Sequence, residues 1–118
     1  MAAQQTEYRL LTVNTVPERA KRLIGRVIAD VQDRYAIVHV GNVERIEDVK
    51  DAVERERPDV LFTASMWTPE QAKEIVNIAQ GVLPNLKTFS VPQGLQANEG
   101  PDAVVAYIKE NLPHLLDS

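Results

Sequence analysis

The chain has no cysteine. That single absence removes disulfide staples, thiolate nucleophiles and cysteine-ligated zinc together. Histidine is nearly as scarce: His39 and His114 are the only two, too few and too far apart for a histidine-rich metal site. Basic charge is in deficit as well, with 13 Lys and Arg against 17 Asp and Glu and a formal net charge of −4. A nucleic-acid binder needs a basic stripe to replace phosphate counterions. The densest basic cluster, Arg19, Lys21, Arg22 and Arg26, reads instead as the solvated side of a helix. No apolar run approaches the length of a bilayer span. The first seven residues are polar and lack the apolar core of a signal peptide. The expectation is one cytoplasmic domain over residues 1–118, flexible at 1–7, with no nucleic-acid or membrane partner, no cofactor and no metal.

What is present suits a folded domain. At 118 residues with 44% hydrophobic and 25% charged, the chain can bury a core without staples. Two periods alternate along it. Residues 8–13 form a first apolar strand, and then Ala20, Leu23, Ile24, Val27, Ile28 and Val31 recur at helical spacing. Residues 35–40 are a nearly continuous apolar run, the pattern of a strand covered on both faces, and Gly41-Asn42 reads as the turn after it. A narrower stripe, Ile46, Val49 and Val53, marks a second helix. Pro58-Asp59 opens a third strand at 60–64. Ala72, Ile75, Val76, Ala79, Val82 and Leu83 give a third helix, residues 86–91 a fourth strand, and Val104, Ile108, Leu112 and Leu115 a fourth helix.

Strand and helix in strict alternation imply right-handed crossovers and a parallel sheet. The fold class expected is α/β, a three-layer α/β/α sandwich around four parallel strands. Two helix starts carry the capping-box signature with a proline in the first turn: Thr15-Val16-Pro17-Glu18 and Thr68-Pro69-Glu70-Gln71. Gly100-Pro101-Asp102 opens the last helix similarly. The fourth strand alternates Phe89 and Val91 with Thr88 and Ser90 and contains Lys87, which suits an edge. A long polar connection, residues 92–100, follows it.

The order β-α-β-α-β-α-β-α, with the phrases Leu11-Thr12-Val13-Asn14-Thr15-Val16-Pro17 and Arg57-Pro58-Asp59-Val60-Leu61-Phe62, resembles a response-regulator receiver domain over residues 8–91. The resemblance implies a flavodoxin-like sheet, here in order 2-1-3-4. The first helix would lie on one face and the second and third on the other. The last helix would use the 92–100 connection to cross and lie beside the first. In that family the first strand ends in an acidic pair that holds magnesium. The third ends in a phosphoacceptor aspartate, followed closely by Met-Pro. Asn14 and Thr15 stand at the first position here, Ala64 at the second, and Met66-Trp67-Thr68-Pro69 replaces the Met-Pro. No fifth strand follows to supply the family's lysine. The resemblance is to a receiver without phosphotransfer chemistry.

In open parallel sheets ligands sit beyond the carboxyl ends of the strands. The candidates there are Asn14, Thr15, Asn42, Ser65, Trp67 and Gln93. They can hydrogen-bond a small molecule but offer no tunable acid or base. Ser65 has no adjacent base to make it a nucleophile and sits in no Gly-x-Ser-x-Gly elbow. Trp67, the only tryptophan, reads either as a buried lid over the sheet end or as a stacking or partner contact. His39 is expected to pack under a helix with a hydrogen-bond partner. Two readings of function stay open. One is a non-catalytic binding or regulatory module acting through protein contacts, a homodimer across the fourth strand or the Tyr107 face among them. The other is a binder of a small anionic ligand, or an enzyme, at the ends of the first and third strands.

Overall fold

The computed structural model describes residues 7–117. The chain forms β1 (Glu7–Val13), α1 (Pro17–Val31), β2 (Ala36–Val43), a short 3₁₀ turn (Ile46–Asp48), α2 (Val49–Glu56), β3 (Val60–Thr63), α3 (Pro69–Val82), β4 (Lys87–Ser90) and α4 (Leu95–Leu116). Of the segment expected to be flexible, Glu7 begins β1 and residues 1–6 lie outside the described residues.

All strand pairs are parallel and the order is β2-β1-β3-β4, as expected. Side chains alternate across the sheet, so the central strands feed two cores. Leu10, Val60 and Phe62 meet Leu23, Ile24 and Val27 of α1 and Val104, Val105, Ile108 and Leu112 of α4. Leu11, Val13 and Leu61 meet Val49 and Val53 of α2, Ile75 and Ala79 of α3, and Trp67. The last helix therefore crosses to lie beside α1, and α2 packs on α3. Each helix carries only one apolar stripe, and this arrangement covers both faces of β1 and β3.

Four local expectations are corrected. First, β2 runs on through Gly41-Asn42 to Val43. Against β1, Leu10 pairs with His39 and Leu11 with Gly41, so Val40 is an extra residue in a bulge. Without it Gly41 would face Thr12; with it Asn42 does. Second, β2 is an edge strand and mostly half-buried, with Val38 41% exposed; the short α2 leaves part of it uncovered. Third, only the second capping box forms. Thr68 Oγ1 accepts from Gln71 N–H at 3.1 Å and Gln71 Oε1 from Thr68 N–H at 3.0 Å. At α1 the cap position is Val16, with no side-chain cap. Asn14 Oδ1 takes the Val16 N–H instead, at 2.7 Å, and Thr15 points to solvent. Fourth, half of the 92–100 connection is helical. Residues 95–99 make a turn bounded by Gly94 (φ 86°) and Gly100 (φ 85°, ψ 178°), and the main run of α4 restarts at Pro101.

Candidate functional site

The carboxyl ends of β1 and β3 lie side by side, and α1 and α3 leave them toward opposite faces. On the α1 side a chain of polar groups runs from β2 to the start of α1. Thr12 Oγ1 donates to Asn42 Oδ1 at 2.7 Å and lies 2.8 Å from His39 Nε2. Asn42 Nδ2 donates to the Asn14 carbonyl at 3.0 Å, and Asn14 Oδ1 receives Val16 N–H. The bulge makes this chain possible, because it sets Asn42 opposite Thr12. Burial lowers the His39 pKa from its ordinary value, against the opposing pull of a hydrogen bond to the Gly41 carbonyl.

Beside this chain, between α1, α4 and the sheet, lies a cavity of about 40 Å³. Asn14, Arg19, Ser65 and Gln96 line its polar end; Phe62 and Ile108 are among its apolar walls. Ser65 is buried, and its Oγ accepts the Gln96 N–H at 3.3 Å while its carbonyl accepts Gly94 N–H at 2.9 Å. These two bonds tie the β3–α3 loop to the start of α4. Gln96 Oε1 is sealed from solvent without a hydrogen-bond partner among the described residues.

The six candidates from the sequence therefore separate. Asn14 and Ser65 line the cavity together. Asn42 stands behind Asn14 as its hydrogen-bond support. Thr15 is next to the crevice but exposed, and Gln93 is exposed in the loop after β4. Trp67 faces the other core, 8% exposed, with its Nε1 donating to the Val13 carbonyl at 2.9 Å. Sequence reasoning missed Arg19 and Gln96. Arg19 was counted with the solvated basic residues of α1, yet it is half-buried and lines the cavity, whereas Lys21, Arg22 and Arg26 are exposed. The signal for it was its place in the first turn after the strand end. Arg19 is the one ionisable group among the lining residues, and its guanidinium offers hydrogen-bond donors but stays charged at any working pH.

The place of this crevice, above β1 and β3 in a sheet ordered β2-β1-β3-β4, invites comparison with known folds. No family model and no curated protein matches the sequence. Among solved structures, the chain is similar to the isolated receiver domain of RcsB from Salmonella enterica serovar Typhimurium, determined with the phosphomimetic BeF3−. The TM-score is 0.57 at 11% identity, over 86% of this chain and 72% of that one. The fold is receiver-like. A second similar structure is the signal receiver domain of the response regulator NarL from Mycobacterium tuberculosis, at TM-score 0.48 and 8% identity, over 88% of this chain and 94% of that one. In this receiver-like frame Asn14 and Ala64 stand at the ends of β1 and β3, where the family resemblance would put carboxylates.

Proposed function

We propose that this is a non-catalytic, receiver-like regulatory domain of the cytoplasm that acts through protein contacts. The observation that carries the reading is the chemistry of the strand ends. Magnesium wants hard, usually carboxylate, oxygens, and Asn14, Thr15, Ala64 and Ser65 supply no carboxylate. The Asn14 carboxamide oxygen is already committed to the backbone of Val16. Among the described residues no helix is long and apolar enough to cross a membrane. Acetyl phosphate with magnesium should leave the intact mass unchanged; a stable adduct of one phosphoryl group overturns the non-catalytic half of the proposal.

The contact surface proposed is the β4 edge with the Tyr107 face of α4, used by a second copy of the chain. Lys87 and Val91 turn their N–H groups to β3, bonding Asp59 O at 3.2 Å and Thr63 O at 2.9 Å. In a parallel ladder the intervening residues point the other way, so Thr88 and Ser90 direct their backbone groups outward. Phe62, Phe89 and Tyr107 stack from the core toward this edge, at 5.2 and 5.4 Å between ring centres. A two-fold pairing of β4 with β4 would satisfy the edge. Sedimentation at high micromolar concentration should show a dimer. Thr88→Pro, which removes an outward N–H without touching the β3–β4 ladder, should abolish it with an unchanged circular dichroism spectrum. Monomer at every concentration, or an unaffected dimer in Thr88→Pro, removes this surface from the proposal.

A second reading is a site for a small anion in the crevice. Arg19 favours it: half-buried, lining the cavity and with no ion pair among the described residues. A panel of phosphate and nucleotides, followed by amide chemical shifts of Arg19 and Ser65, tests it, and Asn14→Asp should weaken any binding by added negative charge.

A further inference from the structure

The cavity beside Asn14 has two unlike ends. Its polar groups cluster where the strands finish: Asn14 just past β1, Ser65 just past β3, Arg19 in the first turn of α1, and Gln96 in the 95–99 turn of α4. Its apolar walls lie further into the sandwich, where Phe62 of β3 faces Leu23 and Ile24 of α1 and Val104 and Ile108 of α4. A purely ionic guest would waste the second end, and a purely apolar one would leave the first unpaired.

The polar end also holds unused hydrogen-bonding capacity. Asn14 is 4% exposed and spends its Oδ1 on Val16 N–H, while its Nδ2 makes no hydrogen bond among the described residues. Gln96 Oε1 is buried without a partner among them. A buried amide left this way is costly unless something completes it. Arg19 adds a positive charge with no carboxylate on it among the described residues. The donors, Asn14 Nδ2 and the guanidinium, match a carboxylate.

We infer that the slot between α1 and α4 binds a short-chain aliphatic carboxylic acid. The carboxylate sits between Asn14 and Arg19, and the chain lies against Phe62 and Ile108. The inference rests on the anion reading of the crevice and names its ligand class. Size follows from the cavity: about 40 Å³ accommodates a few waters, so a chain of about four carbons is the upper limit without rearrangement. The 95–99 turn contributes Gln96 to the lining. It hangs between Gly94 and Gly100, both at positive φ, and is fastened to the β3–α3 loop through Ser65.

The test is a titration of the whole chain by two-dimensional amide NMR with butyrate, hydroxybutyrate, butanol and inorganic phosphate at matched ionic strength. Saturable shifts are expected at Ser65, Gln96 and Ile108 with both acids, and none with butanol. Arg19→Gln, at a half-buried position with no ion pair among the described residues, should weaken butyrate by about tenfold, the loss of one charged hydrogen bond. Gln96→Glu is the second variant and should weaken both acids. Phosphate binding as tightly as butyrate would overturn the aliphatic slot while leaving an anion crevice standing. No saturable shift with any anion would overturn both. Undiminished binding in Arg19→Gln would overturn the carboxylate assignment.

Discussion

Replacing Trp67 by phenylalanine measures whether its indole is a structural wedge or a ligand contact, because the cost follows from its surroundings. The ring is 8% exposed and packs with Val13, Leu61 and Ile75 in the α2/α3 core. Its Nε1 donates to the Val13 carbonyl at 2.9 Å, and that carbonyl also accepts the Ala64 N–H at 3.1 Å. Loss of the indole donor therefore leaves no orphaned acceptor, and only the net value of one hydrogen bond, about 1 kcal/mol, is lost. The smaller phenyl ring leaves a void on the order of 40 Å³, which at ~24 cal/mol per Å³ adds about 1 kcal/mol. The sum is a destabilisation of about 2 kcal/mol. With a urea m-value of about 2 kcal/mol per molar, the midpoint should fall by about 1 M. Far-ultraviolet circular dichroism must follow the transition, since the only tryptophan is gone. In the unmutated chain acrylamide should quench the indole weakly, and anions should leave its emission unchanged. A midpoint shift below about 0.3 M, or an indole freely quenched, would refute the wedge.

Three other outcomes are expected. Thr68→Ala should cost about 1 kcal/mol by removing the capping box of α3, while Thr15→Ala should stay within about 0.5 kcal/mol, because Thr15 is exposed and caps nothing; thermal unfolding of the two variants side by side decides it. Thr63→Val should stabilise by about 1 kcal/mol, since Thr63 Oγ1 is fully buried without a partner among the described residues; a loss of stability would show that the hydroxyl is bonded in solution. His39, whose folded pKa is lowered chiefly by burial, should make the fold acid-sensitive. Above about pH 6.5 the stability is complete; as pH falls below that, the unfolded chain takes up the proton first and stability declines until the folded pKa is passed. Urea unfolding at pH 7.5 and in mild acid should show the drop, and His39→Gln should flatten it.

The layer architecture was legible because each helix carries one stripe and each central strand carries two apolar sides. Those patterns alone require helices on both faces of the sheet, and the position of α4 follows from what α1 by itself would leave uncovered. Strand and helix ends were less legible. Gly41-Asn42 has the composition of a turn, and only the pairing with β1 shows it continuing as strand past a bulge at Val40. Residues 95–99 read as loop because glycines punctuate both ends, yet those glycines, both at positive φ, bound a helical turn. Thr15 and Asn14 exchanged roles for a geometric reason. With Val16 at the cap position, the side chain two residues earlier is the one that meets its N–H.

The site was legible only in part, and the residues that escaped share one property. Asn14 and Ser65 follow strand ends, a position that sequence alternation locates within a residue or two. Arg19 and Gln96 reach the same cavity from two helices that are adjacent in space and far apart in the chain. Nothing local distinguishes Arg19 from Lys21 or Arg22; it is half-buried at the cavity that α1 shares with α4. Gln96 is placed by backbone rather than by pattern, since its N–H is drawn to Ser65 Oγ and its side chain follows inward. The same crossing that completes the core over Phe62 also assembles the polar end of the cavity. Covering the sheet and building the site are one event in this fold, and a variant that loosens α4 should affect both together.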